Sequence, residues 1–170
     1  MQELAPEIPI HVSTQANNIN YRSAIKWYKM GATRVVLARE MSFKEIAEFQ
    51  KKIPEDLELE AFIHGAMCIS YSGRCLLSNY MTGRDSNMGA CAHPCRWNYK
   101  LVEETRPGEY MDVFENERGT FIFNSKDLCT IRHIPELVQS GIASLKIEGR
   151  VKTSYYVATS LLIFAIHCLR

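Results

Sequence analysis

Residues 65–107 form a long stretch with little periodicity, rich in Cys, Gly, Ser, Asn and Arg, set between segments of regular strand and helix pattern. A loop of this length is uncommon in a compact domain unless it is functional or tied down. Four of the six cysteines fall inside it, as Cys68, Cys75, Cys91 and Cys95, with C-x6-C-x15-C-x3-C spacing and Gly65, Gly73 and Gly89 close by. The N-terminus lacks a basic start followed by a long apolar run, so no secretory leader is expected and the thiols should be reduced. Reduced, clustered thiolates on Gly-bearing loops point to a soft metal centre, zinc or an iron–sulfur cluster. The absence of a C-x2-C pair lowers the case for a zinc ribbon. Ordinary buried thiols are the bland alternative, but those belong in strands and helices rather than between Gly and charged residues. Cys129, after Asn124 and Ser125, is a further candidate ligand, and Cys168 reads as a tail residue.

The flanking segments predict an α/β fold. Residues 8–12 read as a strand, 13–20 as a polar loop, and 21–30 as a helix stopped by Gly31. Residues 34–38 repeat the strand, and Ser42 with Glu45 has capping-box spacing for a helix reaching about Lys52, before Pro54. Residues 57–63 and 144–147 predict two more strands, the last followed by a helix from about Thr153. Residues 109–114 and 120–124 suggest a small hairpin turned at 116–119, and 127–132 and 135–140 suggest short helical pieces, with Pro135 at a first helical position and Gly141 closing the second. Strand and helix alternating in this way argue for parallel strands with right-handed crossovers.

Four such βα units make half of an eight-stranded barrel of about 250 residues, so the expected architecture is a partial TIM-barrel-like domain with a Cys-rich insertion. Residues 1–159 are assigned to it and 160–170 to an atypical tail. In such a half-barrel the polar residues just after each strand share one rim: Ser13, Gln15 and Asn17, then Arg39 and Glu40, then His64, then Glu148 and Arg150. Barrel chemistry sits on that rim. Arg39, Glu40, Glu148 and Arg150 are candidates for holding an anionic carboxylate, with rim salt bridges as the equal alternative. His64 and His93 are the two histidines near the cysteines in sequence; a lone His is more often structural than catalytic.

Charge excludes some functions and permits others. The net charge of +1 gives no whole-molecule attraction to nucleic acid or acidic lipid. Locally, residues 63–102 hold Arg74, Arg84, Arg96 and Lys100 against Asp85, interleaved with Tyr71, Tyr80, Trp97 and Tyr99. Such a mixture can hold phosphates and stack bases, although a solvated loop with packing aromatics is equally consistent. The apolar run 161–166 is far shorter than the roughly 20 residues of a membrane span, so a cytoplasmic protein is expected. Neither an H-E-x-x-H nor a G-x-S-x-G motif is present.

The stretch Glu60-Ala-Phe-Ile-His-Gly-Ala-Met-Cys68-Ile-Ser-Tyr-Ser-Gly-Arg-Cys75-Leu-Leu-Ser78 resembles the signature of the collagenase-like U32 peptidase family. So do His11-Val-Ser-Thr-Gln-Ala-Asn17, Arg34-Val-Val-Leu-Ala-Arg-Glu40, Gly89-Ala-Cys-Ala-His-Pro-Cys-Arg-Trp97, Arg106-Pro-Gly-Glu-Tyr110, Asn124-Ser-Lys-Asp127 and Ser144-Leu-Lys-Ile-Glu-Gly-Arg150. Within the family the resemblance is nearest to the tRNA uridine hydroxylase branch. It implies a barrel-like catalytic domain, a [4Fe-4S] cluster, prephenate as oxygen source and an RNA substrate. Cys68, Cys75, Cys91 and Cys95 match that branch's cluster cysteines, with Cys129 as the other candidate for the fourth ligand, and Arg74, Arg84, Arg96, Trp97 and Lys100 are expected to meet RNA. Relative to the family, a barrel half before residue 8 is absent and residues 160–170 depart from the pattern, so a fragment completed by a missing half or a partner protein is expected. Collagenase-like peptidase activity and an inactive metal-binding remnant are the other readings.

Overall fold

A computed structural model describes residues 3–68, 70–112, 115–116, 119–120, 127–150 and 152–168. Strand β1 (Ile10–Val12) leads through a short 3-10 turn to helix α1 (Tyr21–Lys29), then β2 (Ala32–Val36), α2 (Phe43–Gln50) and β3 (Glu58–Gly65). Both helices start as their sequences require. The Asn20 side chain accepts the Ser23 amide at the head of α1, and Ser42 and Glu45 complete a reciprocal capping box at the head of α2.

The irregular segment follows, with α3 (Leu77–Thr82) inside it and β4 (Lys100–Leu101) near its end. Strand β5 (Met111–Asp112) pairs antiparallel with β4, and β6 (Glu115–Asn116) pairs with β7 (Gly119–Thr120). Of the hairpin expected over 109–124, the described residues show the pairing of Asn116 with Gly119 and of Glu115 with Thr120, while residues 113–114, 117–118 and 121–124 lie outside them. Strand β8 (Leu128–Cys129), α4 (Ile134–Gln139), β9 (Ser144–Ile147) and α5 (Ser154–Cys168) complete the chain.

The main sheet runs β1, β2, β3 and β9 in parallel. The helical piece expected over 127–132 is instead strand β8, antiparallel to the end of β3, followed by a 3-10 turn at Ile131–His133. The carbonyl of Ile63 accepts the Thr130 amide and that of His64 accepts the Glu148 amide. Alternate carbonyls point to opposite edges of a strand, so β8 and β9 flank β3. Among the described residues the sheet is open, with β1 paired to β2 alone and β9 to β3 alone.

Burial explains why β3 is the centre. Five of its eight residues are buried and two more are half-buried, in an almost continuous run, as expected of a parallel strand covered on both faces. One cluster gathers Val35, Leu37, Leu57, Leu59, Ala24, Ile46 and Phe49, and a second gathers Ile63, Ile134, Leu137 and Phe164. Each fully buried Leu or Ile contributes about 1.5–3 kcal/mol over its exposed state. Glu60 lies in the middle of β3, accepting Lys146 Nζ at 2.7 Å and Ser144 Oγ at 2.9 Å, with Arg34 Nη1 3.4 Å away. Burial opposes its charge, but these donors outweigh burial and hold its carboxyl below the usual range.

Helix α5 runs through residues 160–168, where Ser160 and Phe164 are buried against the sheet and Leu161, Leu162, Ile163 and Ile166 face outward. Among the described residues no helix is long and apolar enough to cross a membrane.

Candidate functional site

The loops that leave the carboxyl ends of β1, β2, β3 and β9 enclose a cavity of about 250 Å³. Open parallel sheets bind ligands at this edge. Ser13, Thr14 and Gln15 come from the first loop, Arg39 from the second, Ala66 to Cys68 from the third, and Glu148 and Arg150 from the fourth. The irregular segment closes the other side with Cys75, Cys91, His93, Cys95 and Arg96. The four cysteines of that segment thus face one space, while Cys129 is exposed on β8 and does not line it.

A few polar contacts hold the segment against the sheet. Glu40 accepts the Ser72 amide at 2.7 Å and the Ser72 hydroxyl at 2.9 Å, and its Oε1 also receives the Asn17 amide at 3.2 Å. Ser72 is fully buried. Gly73, at φ +73°, packs so tightly on the first loop that a Cβ there would lie 2.5 Å from the Gln15 carbonyl oxygen. Ser78 Oγ accepts the Ala92 amide at 3.0 Å, and the Ser86 hydroxyl donates to the Cys75 carbonyl. These contacts fix both ends of the Cys75 to Cys91 loop.

Three of the four sulfurs receive an N–H donor. Arg39 Nη1 lies 3.1 Å from Cys68 Sγ, Arg96 Nη1 3.2 Å from Cys95 Sγ, and the His93 amide 3.4 Å from Cys91 Sγ. Burial pushes the Cys95 thiol up, the Arg96 charge pulls the other way, and the nearness of Cys91, Cys75 and Cys68 pushes it further up. All four are free thiols. Among the described residues no group of three or more His, Cys, Asp or Glu side chains has the spacing to hold a metal ion.

Arg39 is the hub of the expected rim. Its guanidinium is nearly buried, sits 3.8 Å over the Phe62 ring, and donates Nη2 to Glu148 Oε2 at 2.8 Å. With Nη1 on Cys68 and Nη2 on Glu148, both terminal nitrogens are engaged. Glu148 Oε1 accepts the Arg150 amide at 2.9 Å. Glu40 does not line the cavity and is spent on Ser72 and Asn17. The Arg150 guanidinium lines the cavity without a hydrogen-bond or ion-pair partner among the described residues.

His64 also lies away from the cavity. It stacks on Tyr156 with centroids 5.3 Å apart and touches Phe164 of α5, and burial lowers its pKa. His93 lines the cavity instead, with a buried, unpartnered Nδ1. Burial lowers its pKa, the Arg96 charge adds to this, and Glu148 opposes it. Its φ of +57° just before Pro94 is a costly backbone for a non-glycine residue. Sequence reasoning placed it near the cysteines without giving it a role; its position inside C-x3-C was the available signal.

The residues expected to meet RNA divide. Arg74, Arg84, Trp97 and Lys100 are exposed, with Trp97 stacked on Tyr99 at 6.5 Å. Arg96 is turned inward, bonded to Cys95 Sγ and the Met67 carbonyl, with Nε 3.7 Å from Asp127 Oδ1. Asp127 was not singled out in sequence. It accepts Lys152 Nζ at 2.5 Å and the Tyr156 hydroxyl at 3.1 Å. Burial opposes its charge, but those donors and the Lys152 and Arg96 charges hold its carboxyl below the usual range. Burial, then the bond to Asp127, push the Tyr156 hydroxyl up to about 12.

An α/β protein with a cysteine-lined cavity at the carboxyl edge of its parallel strands is the class these features define. The peptidase family U32 profile matches residues 1–166, and the chain belongs to that family. It is 42% identical to tRNA hydroxylation protein P of Escherichia coli (strain K12), over 96% of this chain and 45% of that one. It is 47% identical to tRNA hydroxylation protein P1 of Bacillus subtilis (strain 168), over 96% of this chain and 38% of the relative. A Collagenase of Porphyromonas gingivalis is 35% identical over 89% of this chain and 37% of its own length. The chain spans less than half the length of these relatives. No solved structure matches.

Proposed function

We propose that this chain is the cysteine-bearing part of an enzyme that hydroxylates a tRNA uridine, with prephenate as the oxygen source. The observation that carries the reading is the convergence of Cys68, Cys75, Cys91 and Cys95 on one cavity beside Arg39, Glu148 and Arg150. Relatives named for tRNA hydroxylation, 39–47% identical over nearly the whole chain, support it. A cytoplasmic location goes with that substrate. The parallel strand order supports a barrel completed by sequence beyond this chain, or by a partner.

The four cysteines would hold a [4Fe-4S] cluster, in which each thiolate binds a different iron, so they need not converge at the single-ion spacing that no group among the described residues has. With all four irons bound by thiolates, the chemistry the cluster would supply is electron transfer. The chain's own residues do the rest. Arg150, whose guanidinium has no partner among the described residues, offers it to a carboxylate of the co-substrate, in the planar two-point geometry that favours Arg. Arg39 and Glu148 lock each other and keep that part of the cavity wall rigid. Arg74, Arg84 and Lys100 supply phosphate contacts, and Trp97 a stacking face for a base.

Anaerobic purification with iron, sulfide and visible-spectrum analysis tests the cofactor; zinc without iron overturns it. Wobble-uridine hydroxylation, assayed by mass spectrometry of tRNA incubated with cluster-loaded protein and prephenate, tests the reaction. The Collagenase relative favours a second reading, a peptidase acting on collagen-like chains. That reading requires gelatin cleavage by metal-free protein after alkylation of the cysteines.

A further inference from the structure

The four thiols are not equivalent in what touches their sulfur. Cys91 receives a neutral backbone amide, and Cys75 receives no donor among the described residues. Cys68 and Cys95 each receive a guanidinium N–H, at 3.1 and 3.2 Å. In both cases a carboxylate stands behind the arginine, hydrogen-bonded to Arg39 and in longer ionic contact with Arg96. Glu148 holds Arg39 at 2.8 Å, and Asp127 faces Arg96 at 3.7 Å. Each carboxylate is in turn fixed to the frame. Glu148 is tied to β3 through its amide on the His64 carbonyl, and Asp127 to α5 through Tyr156, with Lys152 beside it. Phe62 below Arg39 and the Met67 carbonyl on Arg96 remove the remaining freedom.

We infer that Arg39 and Arg96 are positioning residues that each direct a charged N–H at one cluster thiolate, making Cys68 and Cys95 the side on which an added electron is stabilised. The inference rests on the cluster reading above. Its physics is general. One-electron reduction of a thiolate-bound cluster adds negative charge to the cluster and its sulfurs and breaks no bond. A fixed positive donor 3 Å away favours the reduced form, and hydrogen bonds to sulfur are a recognised control of cluster potential. Two arginines held by separate carboxylates apply that bias to half of the ligand set. Arg39 is then unavailable for substrate, which agrees with Arg150 lining the cavity without a side-chain partner among the described residues.

The test is a redox titration of the anaerobically reconstituted chain, followed by electron paramagnetic resonance, with the electron supplied by dithionite through mediators. Arg39→Gln and Arg96→Gln are each expected to shift the oxidised-to-reduced ratio at fixed potential about tenfold toward oxidised, which is 59 mV for one electron. Arg39→Lys and Arg96→Lys restore part of the shift, because charge remains while the fork is lost. Arg22→Gln, at an exposed position of α1, leaves the potential unchanged. If Arg96→Gln loses its cluster, Asp127→Asn decides, since it loosens the aim of Arg96 without touching the sulfur; a shift supports the inference and none overturns it. Potentials identical to the parent in both Gln variants sink the inference and leave the cluster reading intact. A parent chain that retains neither iron nor sulfide sinks the cluster reading first.

Discussion

Arg39 Nη2 lies 2.8 Å from Glu148 Oε2, joining residues 109 positions apart in the cavity wall. The pair brings the loop after β2 against the loop after β9, and the same guanidinium touches Cys68. A salt bridge this little exposed is costly to break from one side, because the surviving charge stays desolvated. The rim contact expected from sequence is therefore a structural brace whose free end reaches sulfur.

Glu40 should prove to be a clamp. Glu40→Ala leaves the buried Ser72 amide and hydroxyl without an acceptor, at roughly 1–3 kcal/mol for each unsatisfied group. Glu40→Gln keeps one carbonyl acceptor and should lose less. Urea unfolding midpoints order the three proteins parent, Gln, Ala.

Two glycines separate conformation from contact. Gly73 and Gly83 have similar φ, +73° and +70°, but a Cβ at Gly83 meets nothing within 4 Å. Gly83→Ala should cost only the left-handed backbone penalty of about 1–2 kcal/mol. Gly73→Ala must in addition displace the Gln15 backbone, so its loss of stability should be clearly larger. Equal losses would mean that the two loops do not touch there.

Glu60 sets an acid limit on the sheet. Its folded-state pKa is depressed, so its contribution is present above the unfolded carboxylate pKa of about 4.3 and is lost as pH falls through the lower folded value. Stability measured from pH 7 to pH 3 should fall more steeply in the parent than in Glu60→Gln, with the difference concentrated below about pH 4.3. Parallel curves would deny the Lys146 and Arg34 pairing.

Cysteine replacement distinguishes the cavity from β8. Cys91→Ser should abolish iron retention after anaerobic purification, whereas Cys129→Ser should leave iron content unchanged, since Cys129 is exposed and outside the cavity. The opposite pattern would reassign the fourth ligand.

Removing a phosphate contact should show in salt dependence. Arg74→Gln and Arg84→Gln should each weaken tRNA binding and lower the slope of log affinity against log salt by about 1. Filter-binding at several salt concentrations reads both quantities. An unchanged slope would place the RNA elsewhere.

Much of the frame was legible because its signals are local. The apolar run of β3, the Ser42 and Glu45 box and the gathering of four cysteines in one segment each need only neighbouring residues to be read. The failures involve distance. Leu128 and Cys129 are too few to carry a period, and they are a strand because the end of β3 offers them a partner. His64 was expected on the rim, but α5 supplies Tyr156 and Phe164 to cover it. Arg96 looked like a phosphate ligand, but its guanidinium turns inward to Cys95 Sγ and the Met67 carbonyl, with the Asp127 charge 3.7 Å away. Glu40 likewise finds its partner 32 residues away, beyond the reach of any pattern.

The cavity has its walls at opposite ends of the chain, with Gln15 on one side and Glu148 and Arg150 on the other. During synthesis the thiols emerge well before the last wall exists, and they stay open to oxidation or stray metal until β9 docks beside β3. The last wall, at Glu148 and Arg150, is thus translated 53 residues or more after Cys95, so the pocket that shelters the four sulfurs closes only after all of them have been made.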